Sequence, residues 1–111
     1  MAGDDHVMKE REHDRHLVEF PVTFAGDFDG AGIVYNLGMG GCKVVTNHPF
    51  TVGAMVALYL NIPEEAFAIT IRMATVRWIM EYEFGVEFLG MEEIERERLA
   101  RYLQKTDAAA V

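Results

Sequence analysis

Serine is missing from this 111-residue chain, and cysteine occurs once, at Cys42. The first absence removes every serine nucleophile. The second excludes an internal disulfide and fits a reducing compartment. No apolar run approaches the roughly 20 residues that span a bilayer, so direct membrane insertion is not expected. The opening stretch MAGDDHVMKEREHDR is polar and acidic, without the apolar segment of a secretory signal, and a cytoplasmic location is expected. Basic residues are scarce, ten against eighteen acidic ones, for a net charge of −8. The acidic excess gathers at the ends: −3 over residues 1–20, −1 over 21–79 and −4 over 80–111. A field of that sign repels phosphate backbones, so neither DNA nor RNA is an expected partner. An anionic ligand needs a local pocket of arginines or backbone N–H groups to overcome it.

What is present is one domain's worth of alternating apolar segments. Residues 1–15 are charged and aperiodic and read as a flexible arm. Val18, Phe20, Val22 and Phe24 then share one face of a strand, in which Pro21 suits an edge or a bulge. AGDFDGAG reads as a turn. Strand-like runs follow at 31–36, 41–46 and 54–62, the last with Val56, Leu58, Leu60 and Ile62 on one side. In 66–80, Phe67, Ile69, Ile71 and Met73 alternate in one phase and Val76, Trp78 and Met80 in the other. That flip predicts a bulge near Ala74–Thr75. Tyr82, Phe84, Val86 and Phe88 form a sixth strand. From Met91 to about Lys105 the residues are strong helix formers, with Glu92 and Glu93 early and Lys105 late. Met91, Ile94, Leu99, Tyr102 and Leu103 share an arc, and Glu95 sits unexplained near its centre. Six short strands and glycine-rich turns imply an antiparallel barrel or sandwich, closed by the helix.

Nothing in the pattern suggests an enzyme. Cys42 lies in an apolar strand, where a thiol is buried and inert. Asp27 and Asp29 belong to a turn, and Glu64 and Glu65 to a loop after Pro63. His13 and His16 form an HxxH with His6 nearby, but a third ligand is not positioned, so no metal is expected. Two other features face the binding question. Arg11 and Arg15, separated by three residues at the end of the arm, offer guanidinium forks for phosphates or planar bases; a solvated charged segment is the plainer account. In NLGMGG, Gly38, Gly40 and Gly41 expose backbone N–H groups and Asn36 offers a donor and an acceptor; a bulged hairpin turn is the plainer account there.

Arg11-x-x-x-Arg15 followed by Asn36-x-Gly38-x-x-Gly41 resembles the two-part signature of PilZ domains, RxxxR and then (D/N)xSxxG. The similarity extends through GGCKVV, the later VRW and the closing FGVEFLGMEEIERERLARYL. It implies a single-domain member, a six-stranded antiparallel barrel over residues 16–111 with a C-terminal helix at about 91–105. Many such domains are receptors for cyclic di-GMP. On that resemblance Arg11 and Arg15 would contact phosphates and guanine faces. Asn36 would read a guanine edge, and Gly41 would permit close backbone approach. Trp78 would sit against the ligand, with core packing as its other reading. Ligand binding would fold the arm over the nucleotide and act through an unidentified downstream protein, the chain itself being a monomer or weak homodimer. A ligand-independent interaction module is the alternative. Gly38 replaces the motif's serine, which predicts affinity reduced by the worth of one hydrogen bond, on the order of 1 kcal/mol.

Overall fold

The computed structural model describes residues 15–110, with side chains through residue 106. Six antiparallel strands form a closed barrel: β1 (Phe20–Gly26), β2 (Gly30–Tyr35), β3 (Gly41–Val45), β4 (Met55–Leu60), β5 (Ile69–Met80) and β6 (Glu83–Gly90). Their order around the barrel is β1-β2-β3-β6-β5-β4. One helix, α1 (Glu93–Ala110), follows and runs past the expected end near Lys105.

Alternation dictates the core. Phe20, Val22 and Phe24 of β1, Val56, Leu58 and Leu60 of β4, and Phe84 and Val86 of β6 all point inward and are buried. Closure leaves no edge for Pro21. Its carbonyl instead accepts from Asn61, so its missing N–H lies on the β4 side. The β1–β4 ladder begins only at Val22, opposite Leu60. The proline therefore removes no ladder bond. One barrel end is covered by α1, where Phe20 meets Tyr102 edge-on at 6.1 Å. The other is filled by Phe24, Phe28, Phe50 and Phe84, with Phe50 and Phe84 centroids 3.9 Å apart.

The bulge in β5 lies earlier than the alternation suggested. Against β4, Ala74 pairs with Val56 and Ile71 with Leu58, so Arg72 and Met73 share one extra step. Both are exposed, which takes Met73 out of the core. A second bulge at Arg77 went unread in the sequence: Val76 pairs with Val86, but Trp78 pairs with the very next residue, Gly85. It flips the phase again and turns both Arg77 and Trp78 outward. Phe67, Met80 and Tyr82, also placed on strand faces by the pattern, are 77 %, 65 % and 69 % exposed.

Glu95 has its explanation in the packing of α1. Its carboxylate accepts from the Thr70 backbone N–H at 3.0 Å and from Arg98 at 3.1 Å. Arg98 also donates to Glu65 and to the Ala68 and Phe67 carbonyls, so one guanidinium ties the helix to the chain entering β5. Leu99 and Leu103 complete the seal, whereas Ile94 is turned to solvent. Arg98→Leu strands two half-buried carboxylates and two carbonyls. It is expected to cost about 2–3 kcal/mol, lowering the thermal midpoint by roughly 10 °C. A shift under about 3 °C would show the network to be dispensable.

Candidate functional site

The NLGMGG turn joins β2 to β3 and uses each residue differently. Asn36 takes φ 51°, the left-handed region that asparagine tolerates better than most residues. None of the three glycines has a positive φ. Leu37 drops fully into the core, and Met39 packs against it. Gly38 is buried and donates its N–H to the Gly41 carbonyl at 2.9 Å. Gly41 pairs with Glu87 of β6 and lies so close to it that a Cβ would strike the Val86 carbonyl oxygen. Gly40 faces open space, with nothing within 4 Å of an added Cβ.

The segment entering β1 is pinned beside this turn. His16 and Leu37 exchange backbone hydrogen bonds of 2.8 and 2.9 Å. That bridge holds Arg15 so that its guanidinium donates to the Asn36 carbonyl at 3.1 Å, across 21 residues of sequence. Its Nη2 lies 3.4 Å from where a Gly41 Cβ would stand. Two parts of the sequence signature thus meet in space. Arg11 lies outside the described residues, as do His6 and His13.

Around them the outward face of β3, β6 and β5 forms a cleft of about 600 Å3, within the roughly 300–1,000 Å3 usual for small-molecule sites. Lys43, Gly85 and Trp78 stand in register across the three strands. With no side chain on Gly85, the indole of Trp78 lies down over its backbone; a Cβ there would overlap the ring nitrogen. Trp78 is accordingly 41 % exposed and forms cleft wall, not core. Arg77, aimed outward by the second bulge, bonds Glu87 through Nε at 2.6 Å. Lys43 pairs with Glu83 at 3.7 Å and lies 6.0 Å from the Tyr35 ring centroid. The cleft therefore collects Arg15, Lys43 and Arg77 against one carboxylate, on a chain of net charge −8. Such a local reversal of sign attracts anions that the rest of the surface repels.

Cys42 lies at the cleft but is 1 % exposed. Burial pushes its thiol up to about 12, and the charge of Arg15 offsets only part of that, so the thiol stays protonated and unreactive near neutral pH. Among the described residues no three His, Cys, Asp or Glu side chains gather as metal ligands. No helix among them is long and apolar enough to cross a membrane.

Lys43, Arg77, Gly85 and Glu87 were not singled out as cleft residues by the sequence. For Lys43 the signal was present, since alternation in GGCKVV puts it outward between Cys42 and Val44. For Arg77 it was not, because Trp78, Ile79 and Met80 after it are all apolar and all exposed, so no alternation marks the change of phase.

The family described as PilZ domain matches residues 9–105. No curated protein matches the sequence. Among solved structures, the Bacillus subtilis inhibitor of motility, MotI/DgrA, superposes with a TM-score of 0.72 at 22 % identity, over 86 % of this chain. The chain spans only half, 50 %, of that protein. The PilZ domain of CeSA from a cellulose-synthesizing bacterium gives 0.67 at 16 % identity, over 84 % of this chain and 97 % of that one. At these identities the likeness is one of fold.

Proposed function

The chain belongs to the PilZ domain family, and from that premise we propose that it is a non-catalytic receptor for cyclic di-GMP. The observation that carries the proposal is the Arg15 guanidinium held on the Asn36 carbonyl at the mouth of a cation-lined cleft. Arg15 binds phosphate and stacks on a guanine face, as a planar fork permits. Asn36 presents its amide to a guanine edge. Trp78, lying flat over Gly85, offers the ligand an aromatic face. Arg11 closes on the nucleotide from the segment before β1. Ordering of that segment alters a surface read by a partner protein in the cytoplasm.

Gly38 still lacks the hydroxyl of the motif's serine, and a modest loss of affinity is expected from it. The charge-assisted bonds of the arginine forks outweigh one neutral hydrogen bond. Isothermal titration with cyclic di-GMP at about 100 µM protein detects binding stronger than about −5.5 kcal/mol. Heat of binding accompanied by a change in the emission of Trp78, the sole tryptophan, is the expected result. Absence of both would overturn the proposal.

A ligand-independent interaction module is the second reading, and one observation favours it. Ile79, Met80 and Tyr82 at the tip of the β5–β6 hairpin are exposed apolar side chains beside the cleft, a feature common at contact surfaces. A partner captured equally with and without nucleotide would support that reading over the first.

A further inference from the structure

Among the described residues, two of the three cations in the cleft already hold carboxylates. Lys43 pairs with Glu83. Arg77 is gripped by Glu87, with Nε and Nη2 converging on the single oxygen Oε1. Arg15, by contrast, donates to a neutral carbonyl. We infer that Glu87 is an internal counter-anion that occupies the Arg77 fork until a ligand phosphate displaces it, making Arg77 the second phosphate anchor of the cleft. This inference rests on reading the cleft as a cyclic di-GMP site.

Register places the two anchors together. Glu87 pairs with Gly41, and the Nη2 of Arg15 lies over that same glycine. Arg15 and the Arg77–Glu87 pair therefore flank one residue of β3. A cyclic dinucleotide carries two phosphates on a single ring, and among the described residues of the cleft Lys43 and Arg77 are the cations available to the phosphate that Arg15 does not hold. Lys43 is the less suitable partner for it, being a point charge without a fork.

The exchange is favourable because the existing pair is weak. The side chains of Arg77 and Glu87 are 62 % and 45 % exposed, and pairs so open to solvent contribute little. A phosphate offers the fork two oxygens, one for each N–H, where Glu87 offers a single one, and with denser charge. While Glu87 stays in place the pair is neutral, so the cleft draws anions less strongly than its three cations suggest. Ligands that reach only Arg15 gain nothing from Arg77. A ligand with two phosphates gains both anchors, so the carboxylate acts as a filter for the number of phosphates.

The test is a double-mutant cycle on the full chain, titrated with cyclic di-GMP while the Arg77 Nε–H resonance is followed. Glu87→Gln should tighten binding about fivefold. Arg77→Ala should weaken it about tenfold. In the Arg77→Ala background, Glu87→Gln should give no gain, because the displaced contact no longer exists. Tightening that persists there would reveal a general field effect and overturn the inference. So would weaker binding by Glu87→Gln alone, which would mean that the carboxylate positions Arg77 instead of competing for it. Should Arg77→Ala unfold the strand, Arg77→Gln takes its place in the cycle. Inorganic pyrophosphate is the second probe. If cyclic di-GMP fails to bind but pyrophosphate shifts the Arg77 resonance, at lower concentration in Glu87→Gln, the anchor stands and the nucleotide reading falls. A resonance unmoved by both probes overturns the anchor.

Discussion

Arg15→Ala is expected to lower affinity for cyclic di-GMP at least about a hundredfold while leaving the thermal midpoint nearly unchanged. Hydrogen bonds involving a charged group are worth about 1.5–3 kcal/mol each. A fork that makes two of them to a phosphate loses about 3 kcal/mol or more on truncation, which is over a hundredfold in the dissociation constant. The fold loses far less. Arg15 is exposed and, among the described residues, makes one side-chain bond, to the Asn36 carbonyl, while the backbone bridge from His16 to Leu37 needs no arginine. Arg15→Lys separates charge from shape: it keeps the cation but not the fork, and a loss of about tenfold is expected. Titration calorimetry on the two variants, beside their melting curves, checks both statements. A loss under tenfold for Arg15→Ala would remove Arg15 from the binding site. Equal losses for the alanine and lysine variants would show that geometry, not charge, matters.

Gly41→Ala is expected to destabilise the protein by about 3 kcal/mol, near the top of the range for overpacking. An added Cβ would stand well under 3.0 Å from the Val86 carbonyl oxygen. That atom is backbone, so relief requires β3 and β6 to part where Gly41 faces Glu87 and Cys42 faces Val86. A domain of this size has only about 5–15 kcal/mol of stability in total, and the change would consume a large share of it. Gly40→Ala is the control. Nothing lies within 4 Å of its added Cβ, and a change within about 0.5 kcal/mol is expected. Urea unfolding measures both, with the midpoint moving and the slope preserved. Equal stability of the two variants would refute the close approach of the strands. The motif glycine thus has a second physical reason: its bareness admits β6 before it admits any ligand.

Much of the fold was legible because a half-buried strand must alternate. Val22 with Phe24, Leu58 with Leu60, and Phe84 with Val86 could be assigned to one interior without coordinates. The helix was legible from residue type, although Ile94 was assigned to the wrong face. Its arc looked apolar because Glu95, at its centre, had no visible partner. Only packing supplies that partner, a backbone N–H of Thr70 and the guanidinium of Arg98.

The candidate site divides along the same line. Residue identity and order determined that Arg15, Asn36 and the glycine turn belong to one signature, since a motif is a property of the chain. They also determined the acidic balance and the absence of serine chemistry. Tertiary structure decided which glycine is open, why Asn36 suits a left-handed φ, and that Arg77, Lys43 and Glu87 share the cleft. These depend on two strand irregularities and on pairing between segments over 40 residues apart, as between Gly41 and Glu87. A bulge that opens into a wholly apolar run, as at Trp78, Ile79 and Met80, leaves no mark in the alternation, yet it reverses every side chain beyond it. Alternation along a chain is local and can be read there, whereas register between strands exists only once the barrel has closed.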